Sequence, residues 1–220
     1  AIEWDDDDGE PTGVALGMFS GENELVPFAG PMTCDGPVED WLTGLMEYCA
    51  ETLKEKLLEC INARVELPLE KWLLDSCAQL AITTSQIWWT QDVNAAFGLF
   101  EQGNETAIKD YSQTVIQTLT SWALMVLGEL SKGDRTKLKT MITIDVHARD
   151  AVLRLINDRV ESAASFAWQS NLKYRWDEEQ RDCFINICDA EFRYSYEYVG
   201  NCGRLVITAL TDRCYITLTQ

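Results

Sequence analysis

One histidine is available to act as a general base in this chain of 220 residues. It is His147, and Arg149 and Asp150 follow it closely. A Ser/His/Asp or Cys/His site needs such a base beside its nucleophile, and the order His, Arg, Asp is also that of a kinase catalytic loop. An additional Ala148 interrupts that order, and no Asn follows at the required spacing. We therefore expect His147, Arg149 and Asp150 to make polar contacts between helices rather than to catalyse a reaction.

No other group of residues forms a recognisable reaction centre. The sequence has no glycine-rich phosphate-binding loop, and no carboxylate pairs with a recognisable partner for acid–base catalysis. It has no Cys-x-x-Cys pair and a single histidine, which argues against a structural zinc site. Several of the eight cysteines fall at apolar positions of helix or strand patterns, so we expect buried free thiols rather than disulfides.

The chain is strongly acidic, with a formal net charge of −18. Such a surface repels phosphate backbones, so we expect no direct binding of nucleic acid. The charge also argues against direct binding to an acidic filament through this segment. No apolar run approaches the ~20 residues that span a bilayer, so we expect no membrane contact.

Residues 1–37 contain an acidic run, Asp5–Asp8, followed by frequent glycine and proline. Because glycine and proline interrupt regular structure, we expect an irregular, solvated segment with one short hairpin at Met18–Phe28. Pro37 then suits the first turn of a helix.

Residues 38–171 show the spacing of amphipathic helices. Apolar side chains recur at every fourth position from Trp41 to Ile61, which places them on one helix face. The spacing predicts further helical stretches, the last of them in two parts, over about 70–101, 105–130 and 135–171. Short connections between such stretches predict an antiparallel helical bundle.

Two polar clusters in this region predict where helices break. Thr83–Ser85 can bend or divide the second helical stretch, because hydroxyl side chains compete for backbone hydrogen bonds. Gly133 suits the C-terminal cap of one helix, and Asp134 suits the N-cap of the next.

The pattern changes from helix to strand near Trp176. Cys183–Asp189 is apolar and Phe192–Tyr198 alternates between aromatic and polar residues, so we expect strands there. Thr211 is placed to cap a final helix. We therefore put the domain boundary within residues 172–182. The residues themselves predict an acidic helical bundle leading into a β-containing segment, without a complete active site.

Three stretches of the sequence resemble dynein heavy chains, and the likeness extends from about residue 16 to the C-terminus. Two lie in the helical region, and the third and most specific is interrupted twice. They are Gln86–Thr90, then Thr143–Asp150, and finally Cys188–Phe192 with Tyr196–Asn201 and Arg204–Tyr215. Shorter phrases resemble the beta class of axonemal outer-arm heavy chains, namely Gly17-Met18, Val26–Phe28 and Ser131–Arg135.

The resemblance implies a mainly α fold, in which an antiparallel helical bundle (the linker) precedes the β-containing start of an α/β AAA+ module. It assigns residues 1–37 to an irregular acidic segment of the linker and 38–175 to the helical C-terminal part of the linker. Residues 176–220 would then begin the first AAA+ module and end before its phosphate-binding loop.

The resemblance also implies a nucleotide contact. In the family, the run that matches Leu205, Val206, Ile207 and Thr208 lines the adenine side of an ATP pocket. An apolar extended backbone can flank the flat base and offer N–H and C=O groups to its edge. The expected cofactor is ATP or ADP with Mg²⁺, whose phosphate and Mg²⁺ ligands would lie outside this stretch, so the stretch alone should not hydrolyse ATP. The family usually has proline where Ala209 stands, and we expect Ala209 to loosen this turn.

The function implied is that of a minus-end-directed, ATP-driven microtubule motor of cilia and flagella. The linker would couple the nucleotide state of the AAA+ ring to the power stroke, through a joint near residues 168–185 that contains Trp168, Tyr174 and Trp176. The expected partners are the rest of the ring and other dynein heavy, intermediate and light chains, with the microtubule bound only through a distant part of the heavy chain. The alternative is a non-catalytic acidic helical scaffold or adaptor that binds partner proteins.

Overall fold

The computed structural model describes residues 1–7, 10–203 and 208–219. The described chain is mainly α, as the sequence predicts. Its strands are β1 Ile2–Asp7, β2 Glu10–Phe19, β3 Leu25–Thr33, β4 Lys173–Asp177, β5 Asp182–Ile187 and β6 Ala190–Arg193. Its helices are α1 Val38–Glu66, α2 Leu69–Asp75, α3 Ala78–Glu101, α4 Ala107–Val126, α5 Lys132–Asn157, α6 Phe166–Gln169 and α7 Ala209–Thr219.

The chain divides into two compact units. The first contains Ala1–Thr84 and a later segment, Ser195–Gly203. The second contains Ser85–Tyr194 and Arg204–Gln220. Each unit is therefore built from two separate stretches of the sequence. None of the helices in the described ranges combines the length and apolarity that a membrane crossing requires.

The first unit opens with an antiparallel sheet in the order β1-β2-β3, so the prediction of an irregular segment over 1–37 is wrong. The hairpin expected at Met18–Phe28 exists, but its strands are longer. Glycine does not break β2, because a Cβ at Gly17 would come within 2.8 Å of the Val26 carbonyl oxygen and only glycine allows that approach. Pro27 is tolerated because β3 is an edge strand, where a missing N–H can face outward.

The predicted apolar face of α1 is confirmed. Leu45, Leu53, Leu57 and Ile61 are all buried at four-residue spacing or its multiples. Pro37 stands at the N-cap of α1, one position before the first helical residue.

The first unit also joins helix to sheet through Tyr48 of α1. Its hydroxyl donates to the Gly30 carbonyl and accepts from the Gly30 N–H at 3.1 and 3.2 Å. Its ring packs on Phe28 with centroids 4.9 Å apart. One tyrosine therefore satisfies both backbone groups of an edge-strand residue and covers the apolar face beside it.

The second predicted helical stretch is divided at Ser76–Cys77, not at Thr83–Ser85. The Thr83 hydroxyl donates to the Gln79 carbonyl at 2.9 Å within the helix, so it does not compete with the main-chain ladder. The break is instead fixed by Glu24, whose carboxylate accepts the Ala78 N–H at 2.9 Å and satisfies the first turn of α3. A distant residue therefore sets the start of α3.

The second unit is built around a buried apolar cluster. It collects side chains from α3, α4 and α5 about the indole of Trp168, which is 1% exposed. Its members are Trp89, Val93, Ala96, Phe97, Ile108, Ala148, Ala151, Val152, Leu155 and Trp168. The periodic apolar positions of these helices thus meet in one core.

The connection before α5 differs from the prediction. Gly133 and Asp134 lie inside the first turn of α5, so their assignment as caps is wrong. Ser131 is the N-cap, and its hydroxyl oxygen accepts the Asp134 N–H at 3.1 Å. A capping residue three positions before an acidic residue favours a helix start. The prediction missed this pattern because it assigned the intervening glycine to the end of the preceding helix.

The second sheet, in the order β4-β5-β6, confirms the strand predicted at Cys183–Asp189. Salt bridges cross it, including Arg193 to the buried Asp182 at 2.6 Å. The strand predicted over Phe192–Tyr198 is wrong beyond Arg193. Tyr196 has a φ of +53°, which takes the chain out of extended geometry.

The eight cysteines are all free thiols, and two of them, Cys60 and Cys183, are buried as expected. Burial raises the pKa of Cys183 to about 12, with a further contribution from Asp182, so this thiol is inert. Cys202 and Cys214 are exposed, so the expectation of burial fails for them. These two lie outside the regular apolar patterns on which the expectation depended.

Candidate functional site

The run predicted to contact adenine is described only at its last residue. Leu205, Val206 and Ile207 lie outside the described residues, and Thr208 is exposed immediately before α7. The final helix begins at Ala209, three residues before the predicted start at Asp212. The assignment of Thr211 as its cap is therefore wrong, because Thr208 precedes the first helical residue.

Thr208 and Thr211 form a reciprocal cap at the start of α7. The Thr208 N–H donates to Thr211 Oγ1 at 2.7 Å, and Thr208 Oγ1 accepts the Thr211 N–H at 3.4 Å. The Thr208 carbonyl accepts from Thr211 Oγ1 at 2.8 Å. Such mutual bonds satisfy backbone groups that a helix end otherwise leaves unpaired. The Thr208 hydroxyl accepts in this cap and therefore keeps its own hydrogen, with which it can donate to a ligand.

An ion pair attaches α7 to α5 within the second unit. Arg154 Nη1 lies 3.4 Å from Asp212 Oδ2. His147 lies about two turns earlier on α5, and the Asp212 carboxylate also acts on its electrostatics. Burial lowers the pKa of His147 below 6.5, and Arg154 lowers it further, whereas Asp212 and Asp150 oppose the shift.

The stretch around His147 makes inter-helix contacts with α3 and α4, but through a different residue, Asp145. Trp122 of α4 donates from Nε1 to Asp145 Oδ2 at 2.7 Å. Arg149 instead donates to its neighbour Asp150, from Nη2 at 2.7 Å, so the prediction of inter-helix contacts for these two is wrong. Neighbouring positions on a helix point in different directions, and Asp145 is the one that faces α4.

The segment that leads towards the predicted adenine run, Ser195–Gly203, is held in the first unit by Gln79 of α3. The Gln79 Oε1 accepts the N–H groups of Val199 and Gly200, each at 2.9 Å. Its Nε2 donates to the Glu197 carbonyl at 2.8 Å. One side-chain amide thus replaces the strand partner that the tyrosine alternation predicted.

The same segment contacts the β2–β3 connection. The Tyr198 hydroxyl donates to the Glu24 carbonyl at 2.9 Å, and the Asn201 N–H donates to Glu22 Oε2 at 3.2 Å. Burial raises the pKa of Tyr198 far above 10, and Cys77 and Glu24 add to the shift, so the hydroxyl stays protonated and remains a donor. The carboxylate of Glu24 meanwhile caps α3.

Gly200 is required by this packing. Its φ is +62°, and a Cβ there would lie 2.4 Å from the Ser20 Cβ. Left-handed geometry and close approach both favour glycine. The backbone at Gly200 therefore has no room for a side chain.

The predicted joint at 168–185 begins with Trp168. Its ring meets Trp89 edge to face, with centroids 5.1 Å apart, and its Nε1 donates to Asn94 Oδ1 at 2.9 Å. The Lys173 ammonium lies 5.8 Å from the Trp168 ring centroid, at the start of β4. Trp168 therefore connects α3 to the first strand of the second sheet.

The other two aromatic residues of the joint have different surroundings. Tyr174 pairs edge to face with Tyr194 at 6.5 Å, across the sheet. Trp176 is buried on β4, and its Nε1 has no hydrogen-bond partner among the described residues. The three aromatic residues of the predicted joint therefore have separate contacts and do not form one cluster.

Sequence reasoning missed Gln79, Glu24, Asn94 and Asp145. A single buried glutamine or an acidic loop residue carries no local signal of a partner more than fifty positions away. The only available hint was polar character among apolar neighbours, which is also common on solvated faces.

Metal ligands are not grouped in the described ranges, where no three His, Cys, Asp or Glu side chains are placed to hold an ion. Thr208 is thus the one residue of the predicted adenine run that lies within the described ranges.

Comparison with known proteins defines the class to which this arrangement belongs. The family model described as "Hydrolytic ATP binding site of dynein motor region" matches residues 194–220. This range begins directly after β6 and includes the Gln79-bound segment, the predicted adenine run and α7. The resemblance to dynein heavy chains is therefore confirmed.

The similar proteins are axonemal heavy chains. "Dynein axonemal heavy chain 9" of Homo sapiens is 51% identical over 215 residues, which is 98% of this chain and 5% of that protein. "Dynein beta chain, ciliary" of Tripneustes gratilla is 47% identical, again over 98% of this chain and 5% of its own length. "Dynein beta chain, flagellar outer arm" of Chlamydomonas reinhardtii is 45% identical with the same coverage. The chain thus spans about one twentieth of the length of these relatives.

Proposed function

We propose that this chain is a segment of an ATP-driven microtubule motor of the axonemal dynein type, active in cilia or flagella. The observation that carries the proposal is the identity of 51% to an axonemal heavy chain over 98% of the segment. The match of residues 194–220 to a dynein ATP-binding region supports it. In this proposal, the segment contributes to hydrolysis only as part of a complete heavy chain.

The helical residues before about 175 would act as the C-terminal part of the linker, and the rest would begin the first AAA+ module. The joint at Trp168 supports this division, because it connects a helical core to the first strand of the second sheet. A packed core has discrete arrangements rather than a continuous range, which suits a lever that moves between poses. The partners would be the rest of the ring and other dynein chains.

Leu205, Val206, Ile207 and Thr208 would form one wall of the adenine pocket. When bound, ATP with Mg²⁺ would supply the phosphoryl group that the complete motor hydrolyses. The role of this chain's own residues is to hold and orient the base, with the Thr208 hydroxyl free to donate from the cap of α7.

The test uses a complete heavy chain that contains this segment. Val206→Arg should raise the KM for ATP by about tenfold or more, since a charge and a long side chain would enter an apolar wall. Leu218→Arg is the matched control, because Leu218 is on α7 and 82% exposed. Equal KM values for the two variants would contradict the nucleotide role and favour the scaffold alternative, which predicts loss of partner binding instead.

A further inference from the structure

We infer that Gln79 is a positioning residue for the nucleotide-binding run, because its side-chain amide holds the backbone from which that run continues. The inference deepens the proposed function and rests on it. Gln79, near the N-terminus of α3, would thus fix the backbone segment that precedes the predicted adenine run.

The hold uses the whole amide of Gln79. Its oxygen accepts two consecutive N–H groups, of Val199 and Gly200, and its nitrogen donates to the Glu197 carbonyl. Gln79 is 2% exposed, and its bond to the Gly200 N–H is buried, whereas those to Val199 and Glu197 are partly buried. Removing the side-chain amide would leave the buried Gly200 N–H without its partner, which costs more than the bond itself contributes.

The opposite side of the same turn is equally constrained. Gly200 faces Ser20 so closely that a Cβ would come within 2.4 Å of the serine Cβ. The turn is therefore fixed between the amide of Gln79 and the β2–β3 connection. Contacts on both sides of a turn restrict its movement, as positioning requires.

The anchored turn is close in sequence to the predicted contact. Only residues 201–204 separate Gly200 from the start of the run at Leu205. A short tether limits the positions that its free end can reach. Loss of the Gln79 bonds should therefore weaken nucleotide binding by loosening the path of the run, without removing any group that contacts the nucleotide.

The experiment compares variants of a complete heavy chain. Gln79→Met keeps the length of the side chain and removes every hydrogen bond, and Gly200→Ala displaces the same turn from its other side. Thr83→Val is the matched control: Thr83 is one turn further along α3 and 3% exposed, and its hydroxyl donates to the Gln79 backbone carbonyl within the helix. The readouts are KM and kcat for ATP, and hydrogen exchange at the amides of Val199 and Gly200.

We expect Gln79→Met and Gly200→Ala to raise KM about five- to tenfold while kcat changes less than twofold. Both should speed exchange at Val199 and Gly200, and Thr83→Val should do neither. Faster exchange with an unchanged KM would overturn the positioning role, as would a KM increase as large in Thr83→Val. The Val206→Arg variant is independent of Gln79, so it separates failure of this inference from failure of the proposed function.

Discussion

The indole Nε1 of Trp122 donates to Asp145 Oδ2 at 2.7 Å, which ties α4 to α5 with a charge-assisted hydrogen bond. The indole is 1% exposed, so water cannot readily replace it as a donor. Bonds of this kind are short and stronger than those between neutral groups. This contact is therefore a strong candidate for fixing the relative rotation of the two helices.

Trp122→Phe should lower the free energy of unfolding by about 2–3 kcal/mol, because it removes this donor from a carboxylate. Trp89→Phe provides the control: Trp89 is also buried, but its Nε1 has no hydrogen-bond partner among the described residues. Both substitutions remove the same atoms of an indole ring, but only Trp122→Phe removes a hydrogen bond. Urea unfolding of the 220-residue chain measures both, and equal losses would show that the bond to Asp145 contributes nothing.

The helices could be predicted because their stability depends on a local pattern. Apolar residues at four-residue spacing in α1 form one buried face. That face can be predicted without knowing which element packs against it. The first sheet could not be predicted in the same way. Gly17 and Pro27 normally interrupt strands, and they are tolerated here only because of a close inter-strand approach and an edge position.

The candidate site was predictable only where a family pattern exists. The run 205–208 and the joint at Trp168 are predictions from the family resemblance, whereas Gln79 was not predicted at all. Its partners are 118 to 121 positions away, and no periodicity connects residues at that separation. The alternation of tyrosines predicted a strand instead. An alternating pattern shows that a segment is extended, but it does not show whether its backbone groups bond to a neighbouring strand or to a side-chain amide.

Stability should depend on pH through His147, the only histidine of the chain. Burial lowers its folded-state pKa below the ordinary 6.5, with Arg154 acting in the same direction and Asp212 and Asp150 opposing. Between the folded-state pKa and about 6.5, the unfolded chain therefore binds more protons than the folded chain. The free energy of unfolding should fall as the pH falls through this window, and this contribution is fully present above it.

Urea unfolding across this pH range, compared between the wild type and His147→Gln, isolates the effect. Carboxylates titrate in both proteins, so the difference between the two curves reports the histidine. We expect that difference to be constant above about 6.5 and to change only in the window below it. Parallel curves would show that burial does not shift this histidine, and the single imidazole resonance in a proton NMR titration gives the pKa directly.

Ala209→Pro should stabilise α7 by about 0.4–1 kcal/mol. Residue 209 is the first helical position, where the fixed φ of proline suits the helix and its missing N–H is not needed by the helix ladder. Arg213→Pro, inside the same helix, should instead cost about 3 kcal/mol. Amide hydrogen exchange over residues 210–219 measures both changes, and faster exchange in Ala209→Pro would contradict the assignment of 209 to the first turn.

Trp168→Ala should uncouple ATP hydrolysis from movement in a complete heavy chain, if the proposed joint transmits the nucleotide state. The substitution removes the edge-to-face contact with Trp89, the bond to Asn94 and the ring beside Lys173. The helical core and the sheet would then lose their shared anchor, while no residue of the predicted adenine run changes. We expect a decrease in microtubule gliding speed that is severalfold larger than the decrease in ATPase rate.

Phe166→Ala is the matched control for this prediction, because Phe166 is on the same short helix but 62% exposed. Trp176→Ala tests the strand side of the joint, where the ring is buried and its Nε1 has no partner in the described ranges. Because that N–H is already unpaired, only packing is lost, so its effect on coupling should have the same sign as that of Trp168→Ala and be smaller. Gliding speeds that follow the ATPase rate in both tryptophan variants would place the coupling elsewhere in the motor.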